Sequence, residues 1–157
     1  MKFIAAAASA LVLAIIGLTA ANAAAGTCPP AIEHFEAMST NPVSAVATLI
    51  ARGPLTIGGT VNLETGQAVL PGGELTLDHH QTHGSSTFSK RTCLATVTSS
   101  GTYRITAGTG RYRLVRGHGD YQLTAYAIVA KVHGKCGTNV VPYAQETELT
   151  ASGPIQQ

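Results

Sequence analysis

The sequence predicts an all-β domain, a sandwich or a barrel, on three observations. No segment after residue 42 sustains a helical period. Short strand-like runs recur between Gly, Pro and Ser turn signals at fairly regular spacing, as they do in sandwiches and barrels. Thr, Val, Ala and Gly are abundant while charged residues make up only 11% of the chain, a composition suited to pleated, half-buried surfaces.

In chain order, residues 1–25 read as a secretory signal peptide. Lys2 supplies a positive start, residues 3–18 are apolar apart from Ser9 and Gly17, and Ala21-Asn22-Ala23 and Ala23-Ala24-Ala25 each offer a small-residue cleavage site. The mature protein is therefore expected to be secreted and extracellular. Residues 26–42 read as a flexible leader, with one or two marginal helical turns over 31–38 that place Ile32 and Phe35 on one side. Residues 43–157 are expected to form a single β-domain, since the roughly 130 residues that follow the signal peptide suffice for one core and not for two.

Within that domain, strands are predicted over 43–52 and 55–63, with Gly58-Gly59 as a bulge or sharp bend. Turns are predicted at Glu64-Thr65-Gly66 and Pro71-Gly72-Gly73, on either side of a short strand over 67–70. A strand over 74–80 is expected to run into a polar loop over 81–87. A long strand over 88–98, a turn at Ser99-Ser100-Gly101 and a strand over 102–106 follow, with Tyr103 and Ile105 on one face and Arg104 and Thr106 on the other. The run 120–133 becomes apolar on both faces from residue 125, as for a strand covered on both sides. A loop over 134–139 and a short strand over 147–152 complete the chain.

The glycine-rich run from Gly108 to Gly119 contains three arginines and resembles a phosphate loop only superficially. A phosphate cradle needs a helix behind it, and Arg113 occupies the place of the third glycine of the dinucleotide fingerprint. We therefore read Gly108 and Gly110 as flanking a tight turn, and Gly117 and Gly119 as relieving crowding between strands.

Charge excludes a dedicated nucleic-acid binder. Without Lys2 the chain carries nine Lys and Arg against eight Asp and Glu, too few cations in excess to neutralise a phosphate backbone. No stable membrane insertion is expected of the mature chain. Three cysteines in an oxidising compartment predict a Cys93–Cys136 disulfide, with Cys28 left over; pairing of Cys28 with either partner is the competing arrangement.

Asp78, His79, His80 and His83 are the most chemically suggestive cluster. On a continuous strand His79 and His80 face opposite ways while His79, Gln81 and His83 share a face, so the preferred reading is a polar strand end, with no metal and no cofactor. No Gly-x-Ser-x-Gly elbow occurs among the serines, and no catalytic residue is assigned. Arg104, Arg111, Arg113 and Arg116 form a local basic set that suits an anionic ligand or cell-surface polymer, or a solvated rim. Tyr103, Tyr121 and Tyr126 are expected to line or brace the interior, giving a pocket apolar walls and polar handles. With Arg104 they are the candidate ligand-binding residues.

The order Thr92-Cys93, Gly101-Thr102-Tyr103, Gly108-Thr109-Gly110-Arg111-Tyr112, Gly117-His118-Gly119, Cys136 resembles small secreted bacterial proteins with an allene-oxide-cyclase-like barrel. The segment from Ala107 to Gly117 is also similar to the glycine-rich segment of dirigent proteins. The resemblance is sharp over 92–136 and implies an antiparallel β-barrel of about eight strands with an interior pocket. The expected function is capture of a small, largely apolar molecule without covalent catalysis. A cyclase or isomerase acting by substrate positioning, and a barrel that binds a protein or the cell envelope, are the alternatives.

Overall fold

The computed structural model describes residues 30–137 and 140–157. The expected signal peptide and Cys28 lie outside the described residues. The strands are β1 (Ala31–Ser39), β2 (Val46–Arg52), β3 (Ile57–Asn62), β4 (Gln67–Leu70), β5 (Gly73–Ser89), β6 (Leu94–Gly108), β7 (Arg116–Ile128), β8 (Lys131–Val132), β9 (Lys135–Cys136) and β10 (Ala144–Gln156). Eight of them close an antiparallel barrel in the order β1-β10-β7-β6-β5-β4-β3-β2, and β8 and β9 form a small separate hairpin. Closure leaves few free edges, which is how an all-β chain of this size protects its backbone polar groups.

Most of the segment expected to be a flexible leader, with one or two helical turns, is instead the strand that closes the barrel. β1 pairs with β10 over its whole length and with β2 from His34 to Met38. Ile32 and Phe35, which would share a helical face, point to opposite sides of a strand: Phe35 is buried and Ile32 is exposed. Two neighbouring strands satisfy nine residues of backbone, whereas an isolated two-turn helix satisfies very little.

The β5–β6 hairpin is also longer than its sequence suggests. Residues 81–87 are not a loop but part of a 17-residue strand, and Ser99-Ser100-Gly101 is not a turn but lies inside β6. The chain reverses at residues 90–93, a stretch without Gly, Pro or Asn. Cys93 adopts a left-handed φ of +56° there, and its N–H donates to the Ser89 carbonyl at 2.7 Å. Its disulfide to Cys136 holds the reversal, with Cα atoms 5.4 Å apart. Gly101 is needed for close approach: a Cβ there would sit 2.0 Å from the His80 carbonyl oxygen. Gly58 and Gly59 make no bulge, since β2 and β3 pair without a register shift. The apolar half of the run 120–133 is not covered on both sides either; Tyr126 is 40% exposed.

One end of the barrel is sealed by the glycine-rich segment. The Thr109 N–H donates to the Glu74 carbonyl at 2.9 Å and the Arg111 N–H to the Gly72 carbonyl at 3.0 Å. A single 3-10 turn (Gly110–Tyr112) then drives the Tyr112 ring inward, where its hydroxyl donates to the Pro71 carbonyl at 2.9 Å. Gly110 has a φ of +55°, and a Cβ would meet the Gly72 carbonyl oxygen at 2.1 Å, so the tight turn read from the sequence is present. Val115 and Ile155 are buried with Tyr112 in the same core. The segment is a stopper, not a phosphate cradle.

Candidate functional site: the barrel lumen

Inward positions mix alanines with large apolar and aromatic side chains. β1, β2 and β4 contribute Phe35, Leu49 and Leu70 together with Ala37, Ala47, Ala51 and Ala68, while β5, β6 and β7 contribute Leu75, Tyr103, Ile105 and Tyr121. A cavity of about 140 Å³ lies above the sealed end, with Ala68 and Ala151 as the alanines in its lining. That is close to the ~150 Å³ of an apolar cavity able to hold a benzene-sized molecule. Phe35, Leu49, Val61, Leu75, Leu77 and Leu149 form its apolar wall.

Polar groups gather toward the other end. His79, Gln81, Ser99 and Tyr121 line the cavity, and the Tyr121 hydroxyl and Ser99 Oγ lie 3.2 Å apart in a hydrogen bond. His79 packs edge-on against Tyr121 with centroids 6.0 Å apart, and Phe35 packs edge-on against Tyr103 at the same distance. Strand pairing of β5 with β4 ends at Thr76, the Leu77 N–H donates to the Gly66 carbonyl at 2.9 Å, and Asn62, Leu63 and Gly66 of the β3–β4 turn line the cavity on this side. The result is an apolar pocket with a polar mouth.

The four residues expected to bind a ligand divide into two pairs. Tyr103 and Tyr121 line the lumen. Tyr126 and Arg104 do not, because each stands an odd number of positions from an inward residue and so faces out. Tyr126 lies opposite Thr96 and Glu146, and Arg104 opposite Asp78 and His118. The expected arginine set also divides. Arg116 donates to the Arg113 and Val115 carbonyls and Arg111 lies over the Tyr112 ring at 5.5 Å, so both brace the stopper.

The histidine cluster is broken by a register shift. Gln81 pairs with Gly101 and His83 with Ser100, so Thr82 is an extra residue and the strand changes face across it. His79 and Gln81 therefore point into the lumen while His83 points out, contrary to the shared face expected of an unbroken strand. Among the described residues no group of three or more His, Cys, Asp and Glu is placed to hold a metal ion.

Glu33 was hidden from sequence reasoning because it lies in the segment read as a leader. It is fully buried, and its Oε2 accepts the Leu55 N–H at 2.8 Å while Oε1 has no partner. The buried Tyr103 hydroxyl is likewise unpaired. Burial raises the Glu33 pKa above its ordinary value of 4.5, with the Leu55 N–H opposing. Burial, then the charges of Glu33 and Asp120, push the Tyr103 phenol up to about 12.

A carboxyl whose folded pKa is raised binds its proton more tightly in the native state. Its contribution to stability is therefore complete below the unfolded value and is lost as pH rises through the folded one. Glu33→Gln, which stays neutral and keeps an oxygen for Leu55, is expected to flatten that decline and to be more stable than the parent at neutral pH. Urea midpoints measured from pH 4 to 8 test this; a variant that declines as steeply as the parent would assign the pH dependence to another group.

No family model, curated protein or solved structure matches this chain.

Proposed function

We propose that the barrel captures one small, largely apolar molecule in its lumen without forming a covalent bond to it. The observation that carries this reading is a cavity walled by Phe and Leu side chains, sealed below by Tyr112, with His79, Gln81, Ser99 and Tyr121 toward its mouth. Such a pocket favours a ligand with an apolar body and one hydrogen-bonding group. The Cys93–Cys136 disulfide suits an exported protein. The likeness of the glycine-rich segment to allene oxide cyclase and dirigent barrels supports the same reading.

A second reading, cyclisation or isomerisation by substrate positioning, is favoured by one specific observation. Glu33 Oε1 and the Tyr103 hydroxyl are both buried and unpaired. Unpaired buried polar atoms are costly, and they concentrate where a ligand, water or reacting group completes the hydrogen bonding.

Native mass spectrometry of protein recovered from the producing cells is expected to reveal a bound small molecule. An apolar fluorescent probe such as N-phenyl-1-naphthylamine should bind the emptied protein. Leu149→Trp, which fills the cavity, should weaken probe binding about tenfold or more, the scale set by losing one ring's worth of apolar burial. An empty barrel that takes up no probe would overturn the capture reading, and a ligand returned chemically altered would favour the enzymatic one.

A further inference from the structure

The end of the molecule opposite the stopper collects cations and exposed apolar side chains. Lys90 and Arg91 stand in the β5–β6 turn, and Lys131 and Lys135 on the β8–β9 hairpin. These two pieces are distant in sequence and are joined by the Cys93–Cys136 disulfide. Cys136 Sγ lies 3.3 Å from the Lys90 carbonyl oxygen, and Lys131 is the cross-strand partner of Cys136. The cross-link thus brings together all three lysines that follow Lys2 in the chain.

No acid balances them. Residues 84–98 and 124–145 contain neither Asp nor Glu. Among the described residues, none of the four cations has a carboxylate within 4.0 Å. The next acids along the chain, Glu146 and Glu148, lie on β10 opposite Tyr126 and Thr124. Beside the cations, Val132 is 47% exposed, Val141 62%, Tyr143 70% and Phe88 49%. Tyr143 is fixed next to β7 by its N–H, which donates to the Ile128 carbonyl at 3.0 Å.

Unpaired cations alone would suit any polyanion. Large apolar side chains exposed beside them fit a bilayer interface, where the cations meet anionic headgroups and Val and Tyr enter the boundary region. At the opposite end Leu114 is 67% exposed beside Arg113, but Arg111 and Arg116 brace the stopper there, so the cluster is smaller than the four cations and four apolar side chains gathered here. We propose that the disulfide-linked end, with Lys90, Arg91, Lys131, Lys135, Val141 and Tyr143, docks on an anionic lipid surface. Docking there turns the open end of the lumen toward the bilayer. The proposal rests on surface chemistry and goes beyond the capture reading, which can fail without it.

Co-sedimentation of the mature protein with vesicles tests it. Binding is expected to vesicles of 30% phosphatidylglycerol in phosphatidylcholine, to weaken with added salt, and to be absent with phosphatidylcholine alone. Lys90→Gln with Arg91→Gln should weaken it about 30-fold, at roughly fivefold per cation. Val141→Ser with Tyr143→Ser should weaken it as well, whereas Arg104→Gln with Arg113→Gln should not. Leu149→Trp, which blocks the lumen, should still bind vesicles, separating this result from ligand capture. No binding, equal binding to phosphatidylcholine, or undiminished binding by the Lys90/Arg91 variant would overturn the proposal. So would capture by heparin together with indifference to the Val141/Tyr143 change, which would assign the surface to a soluble polyanion.

Discussion

Tyr112→Ala is expected to destabilise the protein by about 3–5 kcal/mol, the cost of removing a large aromatic ring from a well-packed core. Tyr112 is only 2% exposed although it sits in the short connection between β6 and β7. It belongs to the same buried cluster as Val115, Ile155 and Leu75. The surrounding backbone cannot collapse into the space. The Thr109 and Arg111 N–H groups are already bonded to the Glu74 and Gly72 carbonyls, and Gly110 is held in the left-handed region. Tyr112→Phe keeps the ring and loses only the bond to the Pro71 carbonyl, so it should cost about 1 kcal/mol. Urea unfolding of both variants separates the two contributions. If Ala cost no more than Phe, packing of the ring would not be what closes this end.

The second large effect is expected at the other end. Replacing Cys93 and Cys136 together by Ser should cost about 4 kcal/mol, because the cross-link closes a loop with a sequence separation of 43 and so restricts the unfolded chain. In the native state the same change frees the β5–β6 turn from the β8–β9 hairpin. The hairpin region would then be tied to the barrel by the Val129 N–H to the Cys93 carbonyl and the Tyr143 N–H to the Ile128 carbonyl. Limited proteolysis should accordingly cut the variant between residues 129 and 143 while its far-ultraviolet circular dichroism stays that of a β-barrel. Urea midpoints measured without reductant give the stability loss. A midpoint equal to the parent's would mean that the bridge restricts neither state.

Part of the lumen was readable without coordinates. The period of two that places Tyr103 and Ile105 on one face sends Arg104 to the other, and the five-residue step from Tyr121 to Tyr126 does the same. Applied strictly, that rule selects Tyr103 and Tyr121 and discards Tyr126 and Arg104. His79 and His83 escape the rule, because the extra residue at Thr82 inverts the strand and nothing in the local sequence announces it. Glu33 and Phe35 escape it for a different reason. In β1 the exposed face carries Ile32 and Met38 while the buried face carries Glu33 and Ser39, so hydrophobicity does not alternate with burial.

The sequence by itself determined the all-β class and the turn at Gly108 to Gly110, and it narrowed the cysteine pairing to Cys93–Cys136 or Cys28 with either partner, which the structure resolves as Cys93–Cys136. Each rests on local chemistry: turn residues, β-branched side chains and the scarcity of partners for a thiol. Only the tertiary structure decided where β5 turns into β6, which face His83 takes and that residues 31–39 are a strand. In each case the deciding interaction comes from a residue far along the chain. Cys136 holds Cys93 in a left-handed conformation, β6 pairs across the bulge at Thr82, and β10 and β2 pair with β1 on either side. Backbone groups must find partners wherever the closed barrel offers them, and that demand overrides weak local preference.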